Sequence, residues 1–117
     1  TLWLSEFAGT TKDAKAHLLS LFNTEIPFDT PKPEKLIYQI LSIATDPGDM
    51  VLDCYLGSGS TISTAHKMGR QYIGIEINPS TIELVKERMQ AVVKGEKGGI
   101  SSIVSWTGGG EFECFKV

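Results

Sequence analysis

Met50-Val51-Leu52-Asp53-Cys54-Tyr55-Leu56-Gly57-Ser58-Gly59-Ser60-Thr61 is the stretch whose reading decides the fold. Residues 50–55 form an apolar run of strand length, and the chain then empties into a glycine–serine turn. A helix is predicted from Ser60. The glycines remove Cβ atoms, so a ligand can approach the backbone, and the first turn of the helix offers unpaired N–H groups. This is a device for holding a nucleotide-like molecule.

Working downstream, residues 60–68 read as a short helix that Gly69 ends, and 71–77 as a second strand that carries Glu76 at its close. Asn78 can cap a third helix with Pro79 at its first position. Ile82, Val85, Met89 and Val92 recur there at three and four residues, and Gly95 closes it. Upstream, Thr10 or Thr11 can cap a helix to Phe22, with Ala14, Leu18, Leu21 and Phe22 on one face. Residues 23–33 read as irregular. Pro33 then opens a helix with an apolar stripe of Leu36, Ile37, Ile40, Leu41 and Ala44, which stops before the turn Asp46-Pro47-Gly48. Beyond Gly95 the chain is glycine-rich, and 112–117 is expected to form a third strand.

The expected fold is therefore α/β: a strand–turn–helix–strand–helix crossover, part of a larger, mostly parallel sheet flanked by helices. With only two firm strands, burial should be incomplete at one edge. Cys54 is expected to pack in the core, and His17 and His66 to lie at the surface.

The chain has 117 residues, 41% hydrophobic and 21% charged, with a formal charge of −3. That composition suits a folded domain and not a disordered tail. Lys and Arg occur only as scattered pairs, so there is no basic stripe to grip nucleic acid. Two isolated cysteines fit a reducing, cytoplasmic setting better than a disulfide scaffold or a metal site. No run of apolar residues is long enough to span a membrane. A start at Thr1 rather than Met is expected of a piece of a longer protein.

Three ligand motifs can be tested against the turn. A phosphate-binding Walker loop needs Lys before its Ser/Thr, and here Gly59 is followed directly by Ser60-Thr61. The dinucleotide pattern G-x-G-x-x-G lacks its third glycine, because Ile62 stands there. The elbow G-x-S-x-G does not match. What remains is Glu76, 23 residues after Asp53 and at the end of the next strand. A carboxylate at that place can accept hydrogen bonds from the two ribose hydroxyls of an adenosine group. The alternative is that it caps the following helix, for which Asn78 is the better placed residue.

Asp53-Cys54-Tyr55-Leu56-Gly57-Ser58-Gly59-Ser60-Thr61 resembles the D-P-F-x-G-S-G-T-T signature of amino-group DNA methyltransferases that use S-adenosylmethionine. Thr30-Pro31-Lys32-Pro33 with Leu36-Ile37 resembles their T-x-K-P-x-x-L-[IL] segment. Gly69-Arg70 and Tyr72-Ile73-Gly74-Ile75-Glu76 are similar to their G-R-x-[FY]-I-G-I-E. The amino-terminal helix and the tail 106–112 further resemble modification subunits of type III restriction–modification systems. Cys54, Tyr55 and Ser60 depart from the pattern, where Pro, Phe and Thr are common.

The resemblance implies a partial Rossmann-like methyltransferase fold over 1–117, a single fragment that forms the carboxy-terminal, cofactor-binding part of the domain. It implies S-adenosyl-L-methionine as cofactor, with Thr30, Lys32, Asp53, Tyr55, Gly57, Ser58, Gly59, Ser60, Glu76 and Asn78 as binding residues and no metal. Asp53 would face the cofactor's ammonium, Tyr55 would wall the pocket, and Thr30 and Lys32 would hold the methionine end. For those last two the plainer readings, a helix cap and a solvated charge, stay open. The family's D/N/S-P-P-Y/F/W loop, which holds the target amine, is absent from the sequence. In this motif order it and the DNA contacts would precede Thr1, so the fragment is expected to be inactive alone. The implied activity is amino-methylation of DNA, at adenine N6 with cytosine N4 the open alternative; DNA and a restriction subunit are the implied partners. A non-catalytic binding module paired with a separate catalytic subunit is the alternative. A nicotinamide-dependent fragment is a third reading, opposed by the missing glycine.

Overall fold

A computed structural model describes residues 2–22, 28 and 30–117. In chain order the elements are α1 Ser5–Ala8, α2 Thr11–Phe22, α3 Glu34–Ala44, β1 Met50–Asp53, α4 Ser60–Lys67, β2 Gln71–Gly74 and α5 Pro79–Val93. The expected irregular segment at 23–33 lies largely outside the described residues.

Local chemistry explains the helix starts. Thr10 Oγ1 accepts the Asp13 N–H at 3.1 Å while Asp13 Oδ2 accepts the Thr10 N–H at 2.8 Å, a reciprocal cap for α2. Asn78 Oδ1 accepts the Ser80 N–H at 3.0 Å, with Pro79 next in the chain, so α5 begins as expected. No side chain caps α3, and Thr30 therefore does not serve as its cap. The single turn α1, unforeseen in the sequence, is held on α3 by bonds from Lys35 Nζ to the Glu6 carbonyl and from Gln39 Nε2 to that of Phe7.

β1 and β2 pair in parallel, Met50 with Gln71 through Asp53 with Gly74. The ladder extends through two further bonds, from the Ile75 N–H to the Asp53 carbonyl and from the Leu56 N–H to that of Ile75. In a pleated strand alternate side chains take opposite faces. Val51 packs with Leu41 of α3 and Ala65 of α4, and Tyr72 lies against the same cluster. A second cluster joins Leu56 and Ile62 to Val85, Met89 and Val92 of α5. Gly74 is required here, since a Cβ would stand 2.7 Å from Leu56 Cδ2. The other face is uncovered: Leu52 and Ile73 are 59% and 50% exposed.

Four expectations need correction. Residues 112–117 form no strand; the sheet among the described residues is β1 and β2, and the tail before 112 is bonded to the end of α5. The Gly109 N–H donates to the Val93 carbonyl and Trp106 Nε1 to that of Val92. Cys54 is exposed, one residue past the end of β1 at Asp53. His66 is buried, with Nδ1 2.8 Å from the Tyr72 hydroxyl and Nε2 2.8 Å from the Gly109 carbonyl. The His17 side chain is also covered and reaches Glu96 at 3.1 Å.

Candidate functional site

The turn after β1 is fixed from two sides by carboxylates. Asp53 Oδ1 accepts the Tyr55 N–H at 3.0 Å, and its Oδ2 accepts the Thr61 hydroxyl at 2.6 Å, which ties the strand end to the first turn of α4. Glu76 Oε2 accepts the Gly57 N–H at 3.0 Å and Oε1 the Asn78 N–H at 2.9 Å. β2 stops at Gly74, short of the expected 77, so Glu76 lies two residues beyond the strand and not within it, and it points at the turn. Gly57 and Gly59 have φ of +52° and +79°, a region that other residues rarely adopt.

The T-x-K-P segment is bonded to the same turn. Ser60 Oγ donates to the Lys32 carbonyl at 2.6 Å and lies 3.2 Å from Ser58 Oγ. Lys32 Nζ bends back to the Thr30 carbonyl at 3.1 Å. Between segment and turn lies a cleft of about 360 Å³, within the roughly 300–1,000 Å³ of small-molecule sites. Phe28, Pro31, Ile37 and Tyr55 give it apolar walls, and Asp53, Ser58, Ser60 and Thr61 a polar floor. The Tyr55 side chain is 92% exposed, free to lie against a planar group.

Of the ten residues singled out in the sequence, Thr30, Lys32, Asp53, Tyr55, Gly57, Ser58 and Ser60 line this cleft. Gly59 does not; its missing Cβ would sit 3.2 Å from Val85 Cγ1, so it serves packing. Asn78 caps α5. Glu76 stands behind Gly57, outside the lining but bonded to it.

Sequence reasoning missed a buried charge cluster beneath the turn. Glu34 accepts bonds from Arg88 Nη2 at 3.1 Å, Lys67 Nζ at 2.9 Å and the Ile100 N–H at 2.9 Å, as well as from the Ser63 hydroxyl. Lys67 also pairs with Glu96, which accepts the Gly98 N–H at 2.6 Å. Burial alone would raise the Glu34 pKa, yet Arg88 and Lys67 outweigh it and hold the carboxyl below the usual range. For Glu96 burial also opposes ionisation, and bonds from His17 and Lys67 still bring it down to about 2. His17, Glu34 and Glu96 place their ligand atoms within 4.8 Å of one another. With Lys67 and Arg88 already on those carboxylates, a metal cation would meet like charge, so this is an ion-pair cluster. One signal was available: Arg88 lies three residues from Val85 and four from Val92, on the inward face of α5.

A parallel strand–helix–strand unit with a glycine–serine turn and an acid two residues past the second strand is the arrangement of an α/β nucleoside-binding type of protein. Residues 1–87 match the N6/N4 methyltransferase family, described as DNA methylase, and the chain belongs to that family. It is 54% identical over 81 residues to the probable type III restriction-modification enzyme HindVI Mod subunit of Haemophilus influenzae, covering 69% of this chain and 11% of that protein. It is 49% identical over 49 residues to the type II methyltransferase M1.MboII of Moraxella bovis, covering 42% and 19%. Among solved structures it is similar to the M1.HpyAVI–SAM complex, with a TM-score of 0.52 and 36% identity over 55% of this chain and 32% of that one. The chain therefore spans only about a tenth to a fifth of the length of these curated relatives.

Proposed function

We propose that residues 1–117 are the S-adenosyl-L-methionine-binding part of a DNA methyltransferase that modifies an exocyclic amino group, adenine N6, within a restriction–modification system. The observation that carries this is the Glu76 carboxylate bonded to the Gly57 N–H beside the cleft. Each carboxylate oxygen keeps a lone pair, so the group can hold a ribose diol while it fixes the turn. Asp53 would draw the cofactor's ammonium, Lys32 its carboxylate, and Tyr55 would cover the adenine. When bound, the cofactor supplies a methyl group on a sulfonium, which makes it transferable.

The fit rests on the donor set. The cleft has a carboxylate, hydroxyls and an aromatic ring, and the turn has no Lys for a phosphate, which suits a nucleoside bearing an amino acid and not a nucleotide. The sequence carries no Pro-Pro-aromatic string, so we place the group that holds the target amine, and the DNA contacts, outside residues 1–117. The adenine N6 assignment and a restriction partner rest on the likeness to the type III Mod subunit.

Calorimetry with S-adenosylhomocysteine tests the reading. The native protein should bind, and Glu76→Ala and Gly57→Val should each weaken binding at least tenfold. Val at 57 meets a φ of +52°, at a residue that lines the cleft. Equal affinity in all three proteins would remove the assigned pocket.

A further inference from the structure

The peptide between Ser58 and Gly59 lies at the centre of the turn, with Gly59 at positive φ on one side of it and Gly57, also at positive φ, one residue before Ser58. Gly59 has no Cβ to oppose rotation on its side of this peptide plane, so the plane's orientation depends on what grips its N–H and its carbonyl. Its N–H is held by the Leu56 carbonyl at 3.0 Å. Its carbonyl, on Ser58, points down into the protein, where Arg88 Nη1 donates to it at 2.8 Å. The same Nη1 lies 3.2 Å from Ser60 Oγ, which in turn donates to the Lys32 carbonyl at 2.6 Å. Arg88 Nη2 is anchored on Glu34 at 3.1 Å, at the start of α3. The guanidinium is thus a planar fork with one prong on the turn and one on the segment that carries Lys32. Arg88 is only 1% exposed.

We infer that Arg88 is a positioning residue for the cofactor turn: with Glu34 it locks the Ser58–Gly59 peptide and ties the turn to the T-x-K-P segment across the cleft. The inference rests on the cofactor reading given above. A long apolar side chain at 88 would fill the same space and avoid desolvating a charge, which is a stability cost that buried ion pairs rarely recover. What it would lack is a donor for the Ser58 carbonyl. Lys67 supplies the contrast: it pairs with the same Glu34, and its other hydrogen bonds among the described residues go to Glu96 and the Gly98 carbonyl, away from the turn.

The test compares Arg88→Lys, Arg88→Met and Lys67→Met in the full protein, below the unfolding temperature of each. Arg88→Lys keeps a cation beside Glu34, but a single ammonium on a shorter stem cannot serve both prongs. Expected are affinity for S-adenosylhomocysteine weakened about tenfold and faster hydrogen exchange at the Gly59 amide, together with a lower unfolding temperature from the buried bond that is lost. Lys67→Met should unfold at lower temperature yet bind within twofold of native. Should Arg88→Met fail to fold, Arg88→Lys and the amide-exchange measurement, which needs no ligand, decide alone. Native affinity and native Gly59 exchange in Arg88→Lys would overturn the positioning role, as would equal weakening in Lys67→Met. Loss of binding in Glu76→Ala but not in the Arg88 variants overturns this inference only. No binding by the native protein overturns the cofactor reading and this inference with it.

Discussion

Glu76→Gln separates two jobs that the carboxylate can perform. In the folded protein its oxygens accept two backbone N–H groups, from Gly57 at 3.0 Å and Asn78 at 2.9 Å. A carboxamide has one acceptor oxygen, and its NH₂ must face the other N–H, donor against donor. One of the two bonds is therefore lost. A hydrogen bond to a charged group contributes about 1.5–3 kcal/mol, and the lower end applies where the Asn78 bond is exposed. Stability should fall by roughly 1.5 kcal/mol, which for a domain of this size lowers the unfolding temperature by about 5–10 °C. Binding adds a second loss. A neutral acceptor in place of a charged one costs about 1–1.5 kcal/mol per ribose hydroxyl, or 2–3 kcal/mol for the pair. Affinity for S-adenosylhomocysteine should then drop about 30- to 150-fold. Differential scanning calorimetry reads the first effect and titration calorimetry the second. A lower unfolding temperature with affinity within twofold of native would show that Glu76 holds the turn and the α5 start but not the ribose.

Two further outcomes concern the buried cluster. Glu34→Ala leaves Arg88 and Lys67 without their shared carboxylate, a change that costs about 3–5 kcal/mol and should lower the urea midpoint far more than Glu83→Ala in the exposed pair with Lys86. An equal effect of the two would mean the cluster is as well hydrated as the surface. Acid should weaken the fold through Glu96, whose pKa falls from 4.5 to about 2 on folding. The unfolded chain takes up its proton first as pH drops, so the stabilisation is complete above about pH 4.5 and disappears between there and pH 2. Circular dichroism at fixed moderate urea should follow that window, and Glu96→Gln should flatten it; an unchanged profile in the variant would refute the assignment.

Much of this was legible in the sequence, and for definite reasons. The crossover unit is written in the change from an apolar run to glycines to helical spacing, and Val85, Met89 and Val92 are buried where that spacing puts them. The cleft residues gather because they are local to one turn, apart from Thr30 and Lys32, which the family pattern supplied. The rest depended on contacts far apart in the chain. Glu34 looks like an ordinary acid in a first helical turn, and only folding sets it against Arg88, 54 residues away. His66 sits among Thr, Ala and Lys, so its burial follows from the tail closing over it. The alternation at 112–117 meets no partner strand, since the sheet among the described residues holds only β1 and β2. Cys54 misled because an apolar run says where a strand starts more clearly than where it lets go.

The pleat of the two strands sorts residues by parity. Val51 and Asp53 share the inward side with Tyr72 and Gly74, whereas Met50 and Leu52 share the outward side with Gln71 and Ile73. The ligand chemistry and the bare apolar ladder are thus on opposite faces of one thin sheet, a single residue apart in sequence. Selection acting on even positions of the first strand can reshape what lies over the sheet without disturbing a single atom beneath the bend.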